Sequence, residues 1–130
     1  MTDRCDSATD EERLVAMLAH LLTIPAYGGV LLQYLIPLVI YFVYREKSPF
    51  VAFHALQSLF FQLAILGIIA SIGLIVVLTL GLGIVVVIPL LIIVPVCGIV
   101  FPIIAGVKSY GGQWYEYPFV GAAARRTCTT

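Results

Sequence analysis

Two long stretches of this chain carry no charge. No Asp, Glu, Lys or Arg occurs from Leu14 through Tyr44, and none from Ser48 through Val107. A helix at the surface of a soluble domain keeps polar and charged residues on its outward face at short intervals. These stretches have no such face, so they must meet lipid or each other. The composition agrees: 62% of the residues are hydrophobic and 11% are charged, against roughly 25% charged in an ordinary soluble domain. A chain of 130 residues cannot hide that apolar surface in its own core, because at this size about a third of the unfolded surface stays exposed. The reading is a multi-pass protein of the cell membrane, with the lipid bilayer as its first partner.

The charges sit in three places: Asp3 to Arg13, Arg45 to Lys47, and Lys108 to Arg126. The formal net charge is zero, which argues against a nucleic-acid partner. The N-terminal stretch is acidic (Asp3, Asp6, Asp10, Glu11, Glu12) rather than basic. It does not read as a secretory signal, so the first apolar segment is expected to be retained. Cys5, Cys97 and Cys128 are odd in number and widely spaced, which suits neither a disulfide framework nor a zinc site.

Crossing a hydrocarbon core of ~30 Å takes about 20 helical residues. Ala52 to Leu78 and Ile84 to Val107 are each long enough, and Leu80-Gly81-Leu82-Gly83 is the turn between them. The first apolar stretch is shorter and interrupted. Thr9-x-x-Glu12 reads as a capping box that starts a helix near Asp10. Pro25 and Gly28-Gly29 interrupt it, and a second helix runs from Val30 to Tyr44. This is either one broken span or a hairpin that enters and returns.

The preference of Lys and Arg for cytoplasmic flanks chooses the hairpin. Only then do Arg4, Arg13, Arg45, Lys47, Lys108, Arg125 and Arg126 share one side. Tyr and Trp residues concentrate at that same end, as they do at headgroup level. The expected fold class is therefore an all-α four-helix transmembrane bundle with a short N-terminal hairpin and both termini cytoplasmic. A polar tail spans 1–10. The transmembrane domain spans 11–110, with helices at about 11–24, 30–44, 50–78 and 84–108. A cytoplasmic interfacial tail occupies 111–130. Whether the hairpin crosses fully or only re-enters stays open at this point.

Inside the third helix, His54, Ser58 and Gln62 lie roughly on one side at 3.6 residues per turn, with Gln57 at its edge. Polar groups in hydrocarbon need partners, and His20 and Gln33 are the candidates. The stripe reads either as interhelical glue or as a hydrated vestibule or small binding site. Two histidines with no intramembrane carboxylate make a poor metal set, so neither metal nor cofactor is expected. Gly67-x-x-x-Ser71 permits close helix approach, within the chain or in a dimer. Pro89, Pro95 and Pro102 should bend the fourth helix. No nucleophile elbow, phosphate loop or dinucleotide fingerprint occurs, so no enzyme is expected.

Three segments together carry a resemblance: EERLVAMLAHLL at Glu11 to Leu22, SPFVAFHALQSLFFQ at Ser48 to Gln62, and GGQWYEYPFVG at Gly111 to Gly121. They resemble small prokaryotic membrane proteins of unknown function related to the twenty-kilodalton Tic subunit of the chloroplast inner-envelope import machinery. The matched positions are Ser48, Pro49, Phe50, Val51, His54, Ala55, Gln57, Tyr117 and Pro118. The resemblance implies a four-helix bundle with cytosolic termini. It also implies a component or accessory factor of a protein-translocation or insertion assembly, with other membrane proteins or further copies of itself as partners. The alternatives are a small homo-oligomeric channel or carrier and, less in keeping with the residues, an intramembrane enzyme.

Overall fold

The computed structural model describes residues 8–129; Arg4, Cys5 and most of the expected polar tail lie outside them. The order of elements is α1 (Asp10–Leu21), a 3-10 turn (Pro25–Gly28), α2 (Leu32–Tyr44), α3 (Pro49–Leu78), α4 (Ile84–Tyr110) and α5 (Gly121–Thr129). The first four helices fall where the sequence pattern places them, α5 lies in the segment expected as an interfacial tail, and the described residues contain no strand.

The starts of α1 and α3 are set by side chains. The Thr9 hydroxyl accepts from the Glu12 backbone N–H at 3.2 Å, and the Glu12 carboxylate accepts from the Thr9 N–H at 2.8 Å. This reciprocal pair satisfies two amides that a helix start leaves open. The Thr9 amide, helped by the Ser48 hydroxyl, holds the Glu12 carboxyl below its ordinary range. Ser48 caps α3 by accepting from the Val51 N–H, and Pro49 fills the first helical position, where its missing N–H costs nothing.

The turn after α3 closes differently from the glycine-led turn the sequence suggests. Gly81 N–H reaches Val76 O at 2.8 Å and Leu80 N–H reaches Val77 O at 3.1 Å, the paired bonds of a Schellman ending. The left-handed position is held by Leu80 (φ +51), with Gly81 following at φ +89.

Length separates the helices into two classes. α3 and α4 have 30 and 27 residues, about 45 and 40 Å. Both are long and apolar enough to cross a membrane. α1 and α2 have 12 and 13 residues, about 18 and 20 Å. Of the helices in the expected bundle, two are thus long and apolar enough to span a bilayer on their own among the described residues. Thr23 and Pro25 end α1 before 24, and α2 begins at Leu32 rather than Val30.

α1 packs along α4 and α3, and α2 packs along α3. Gly106 on α4 makes the first contact close, since a Cβ there would lie 2.9 Å from Leu21 Cγ. The short pair covers only one half of the long pair. In α3 the buried residues run from Phe50 to Ser58 with Gln62, and beyond them only Ile72 is buried. In α4 only Val87 is buried before Gly98. A Cβ added at Gly67 or Gly73 would meet nothing within 4 Å, and Ser71 bonds back to Gly67 O. Packing within this chain does not use that stripe.

The tail is also more ordered than a simple interfacial segment. Gln113, Tyr115 and Tyr117 bond to α3 and α1 side chains, and α5 lies on α3.

Candidate functional site: a buried polar node at the charged end

α3 begins at the charged end, and its first three turns are enclosed on all sides. Phe50, Val51, Phe53, His54, Ala55, Gln57 and Ser58 are all buried. Trp114 from the tail packs on Phe50 and Phe53, with centroids 5.3 and 5.2 Å away. Tyr117 lies over Phe61 at 4.6 Å. This apolar wrapping takes the polar side chains of the same turns out of reach of water, so each needs an internal partner.

Gln57 finds its partners on the tail backbone. Its Nε2 donates to Tyr115 O at 3.0 Å, and its Oε1 accepts from Tyr117 N–H at 3.0 Å. One side-chain amide thus pairs with an extended segment as a neighbouring strand would. The fit depends on Gly121, where a Cβ would come within 2.8 Å of Gln57 Oε1.

His54 and His20 form the second connection. His54 Nε2 lies 3.1 Å from the Gln113 carbonyl, which can only accept, so His54 carries its proton on Nε2. A neutral His54 then offers Nδ1 as an acceptor, and His20 Nε2, 3.0 Å away, donates to it. His20 Nδ1 is left as an acceptor for the Tyr117 hydroxyl at 3.0 Å. The chain of donors runs one way: Tyr117 to His20 to His54 to the Gln113 carbonyl. A single carbonyl therefore sets both tautomers. Thr23 Oγ1 closes the α1 end by donating to His20 O at 2.6 Å.

Of the residues expected to act together, His20, His54, Gln57 and Tyr117 meet in this node. Ser58 and Gln62 are buried beside it on α3. Gln33 stays apart on α2, and its Oε1 has no hydrogen-bond partner among the described residues. Ser48, Pro49, Phe50 and Val51 build the helix start that carries His54, and Pro118 follows Tyr117 out to the surface. The sequence reading did not connect the Tyr117 hydroxyl to His20, nor anticipate Gln113 and Tyr115 as backbone acceptors. No local signal could have shown these, because the partners lie 58 to 97 positions apart.

The ring nitrogens of His20 and His54 point at each other and at their outer partners, rather than converging on a shared point. Among the described residues no group of three or more His, Cys, Asp or Glu is placed to hold a metal ion. The arrangement ties α1, α3 and the tail into one unit.

The profile of the magnetosome magnetite crystal formation protein family matches residues 11–123. The chain belongs to this family. No curated protein and no solved structure matches it. The family match overturns the resemblance to the Tic-related proteins, and with it the assignment to protein translocation or insertion. The physical reason is visible in the node. Ser48-Pro49, His54, Gln57 and Tyr117-Pro118, which carried that resemblance, cap a helix and clamp a tail. Residues that encode a packing arrangement say nothing about cargo. In this chain the whole node lies inside the region that matches the magnetite crystal formation family.

Proposed function

We propose that this chain serves magnetite crystal formation as a non-enzymatic, membrane-embedded structural component. The observation that carries the proposal is the family match over residues 11–123, which takes in both long apolar helices and the entire buried node. α3 and α4 cross the bilayer of the crystal-forming compartment. The α1–α2 hairpin enters from the charged side and returns. The node holds α1, α3 and the tail as a stiff cytoplasmic cap bearing Arg13, Arg45, Lys47, Lys108, Arg125 and Arg126, in keeping with the placement of basic residues.

This topology limits how the protein acts on a crystal. Iron and mineral surfaces are bound by carboxylates and imidazoles. The described acidic residues Asp10, Glu11, Glu12, Glu46 and Glu116 all belong to the cytoplasmic end. The turn at the other end, Thr79 to Gly83, offers one hydroxyl, and it already donates to Ile75 O at 2.7 Å. The chain therefore influences the crystal through the membrane and its neighbours there, not by direct ligation from that turn.

The test is deletion of the gene in a magnetite-forming bacterium, with electron microscopy of crystal size and shape. The expected result is altered crystals, restored by the intact gene, with export of membrane and secreted proteins unchanged. Normal crystals after deletion would refute the proposal.

A further inference from the structure

The long helices leave an apolar groove between them on the side away from α1. It encloses about 440 Å³ and is lined by Phe61, Ile65, Val94, Cys97, Phe101 and Phe119 among others. Its surface end is built from the tail. Pro118, Phe119 and Val120 form a rim there. Phe119 holds φ +74 and is 99% exposed. The left-handed region is unfavourable for a bulky L-residue, and strain of this kind gathers where a side chain is held for a purpose. Gln57, through Tyr115 and Tyr117, fixes the segment that imposes it.

Beneath that rim, ring contacts run from the groove wall through the buried Tyr117 to a cation. Phe101 on the groove wall faces Tyr117 at 6.2 Å, Tyr117 faces Tyr115 at 6.1 Å, and Lys108 Nζ sits 4.8 Å from the Tyr115 ring centre. Leu90, Val94, Cys97, Phe101 and Lys108 recur at spacings that keep them on one side of α4. Lys108 stands two turns beyond Phe101, about 10 Å along the axis. It is exposed and has no carboxylate within ion-pair distance among the described residues.

We infer that this groove is a binding site for an anionic phospholipid, with one acyl chain between α3 and α4 and the phosphate on Lys108. An apolar slot rimmed by Phe119, with the Lys108 ammonium two turns beyond Phe101 on the same side of α4, matches the order of groups along such a lipid: hydrocarbon, ester layer, negative phosphate. Long cationic side chains at a helix end reach the headgroup level in the same way. A comparison surface exists on the same helices. The opposite groove, about 420 Å³, is lined by Ile24, Ile65, Ile69, Val94, Pro95 and Ile99. It ends on the hairpin tip and not on a lysine, so it should take any acyl chain without regard to headgroup. The inference rests on the reading that α3 and α4 lie in a bilayer, and this second groove tests that reading separately.

The experiment uses the full chain in phosphatidylcholine vesicles that contain a small fraction of phosphatidylglycerol with a photoactivatable diazirine in its acyl chain. Crosslinked peptides are mapped by mass spectrometry. Labelling is expected at Phe61 and along residues 90–101 on the Phe101 side. Excess unlabelled phosphatidylglycerol should remove it, and the same excess of phosphatidylcholine should not. Lys108→Gln should lower this labelling several-fold, and Lys108→Arg should keep it. Labelling of Ile24 and Ile99 should be equal with either competitor and in every variant. Displacement by both lipids alike, or full labelling in Lys108→Gln, would overturn the site. Absence of labelling on both grooves would instead overturn the membrane placement.

Discussion

The Tyr117 hydroxyl is the first donor in the chain and satisfies the buried His20 Nδ1. Tyr117→Phe keeps the ring on Phe61 and removes only the oxygen. His20 Nδ1 would then be a buried acceptor without a partner, a loss of about 1–3 kcal/mol. The expected outcome is a lower unfolding temperature in detergent with the helical content retained. Nitrogen chemical shifts of the imidazoles provide a second readout: both rings in the wild type should be neutral with the proton on Nε2. A His54 ring protonated on Nδ1 instead would contradict the direction derived from the Gln113 carbonyl. At this scale the sequence showed which side chains are polar and out of place in hydrocarbon. It did not show their partners, because Gln113 and Tyr115 accept through backbone carbonyls, which every residue carries.

Elements were more legible than their contacts. The capping box at Thr9 and Glu12, the Ser48-Pro49 start and the long uncharged runs each act within a few residues, so the sequence alone locates α1, α3 and α4. The tail was the exception. Its helix α5 is short and follows a segment held by Gln57, so its position is tertiary in origin and no periodicity announces it. The approach of α1 to α4 is tertiary too, and it turns on one missing methyl group. A Cβ at Gly106 would stand 2.9 and 3.0 Å from Leu21 Cγ and Cδ2, so Gly106→Ala must push α1 aside or force Leu21 off its rotamer, at a cost of about 1–3 kcal/mol. Leu21→Ala removes the obstructing atoms and should cost stability by itself. In the double variant the two losses should fall short of their sum, since each substitution makes room for the other. Simple additivity in thermal or denaturant unfolding would show that the helices do not meet at this point.

For the whole molecule, the depth of the first hairpin decides what reaches the far side of the membrane. If it crossed fully, its tip would stand level with the Thr79 to Gly83 turn. Instead Ile24 shares a groove with Ile65 and Ile69, ten to fourteen residues before Thr79, which places the tip about 15–20 Å short of that turn. In a bilayer spanned by α3 and α4, a hairpin of this reach would end inside a hydrocarbon core of about 30 Å, where its exposed tip residues Val30 and Leu31 are apolar enough to stay. Cysteine substitution tests this directly. A side chain at Gly28 meets nothing within 4 Å, so Gly28→Cys should fold, and Leu82→Cys lies on the exposed far turn. With the native cysteines replaced, a membrane-impermeant maleimide added from the side opposite the charged end should label Leu82→Cys and leave Gly28→Cys unreacted. Gly28→Cys should also resist the reagent from the charged side and react only after detergent opens the bilayer. Labelling of both positions from the far side would make the hairpin a full crossing. The far face would then present two turns instead of one, the hairpin tip as well as the Thr79 to Gly83 turn.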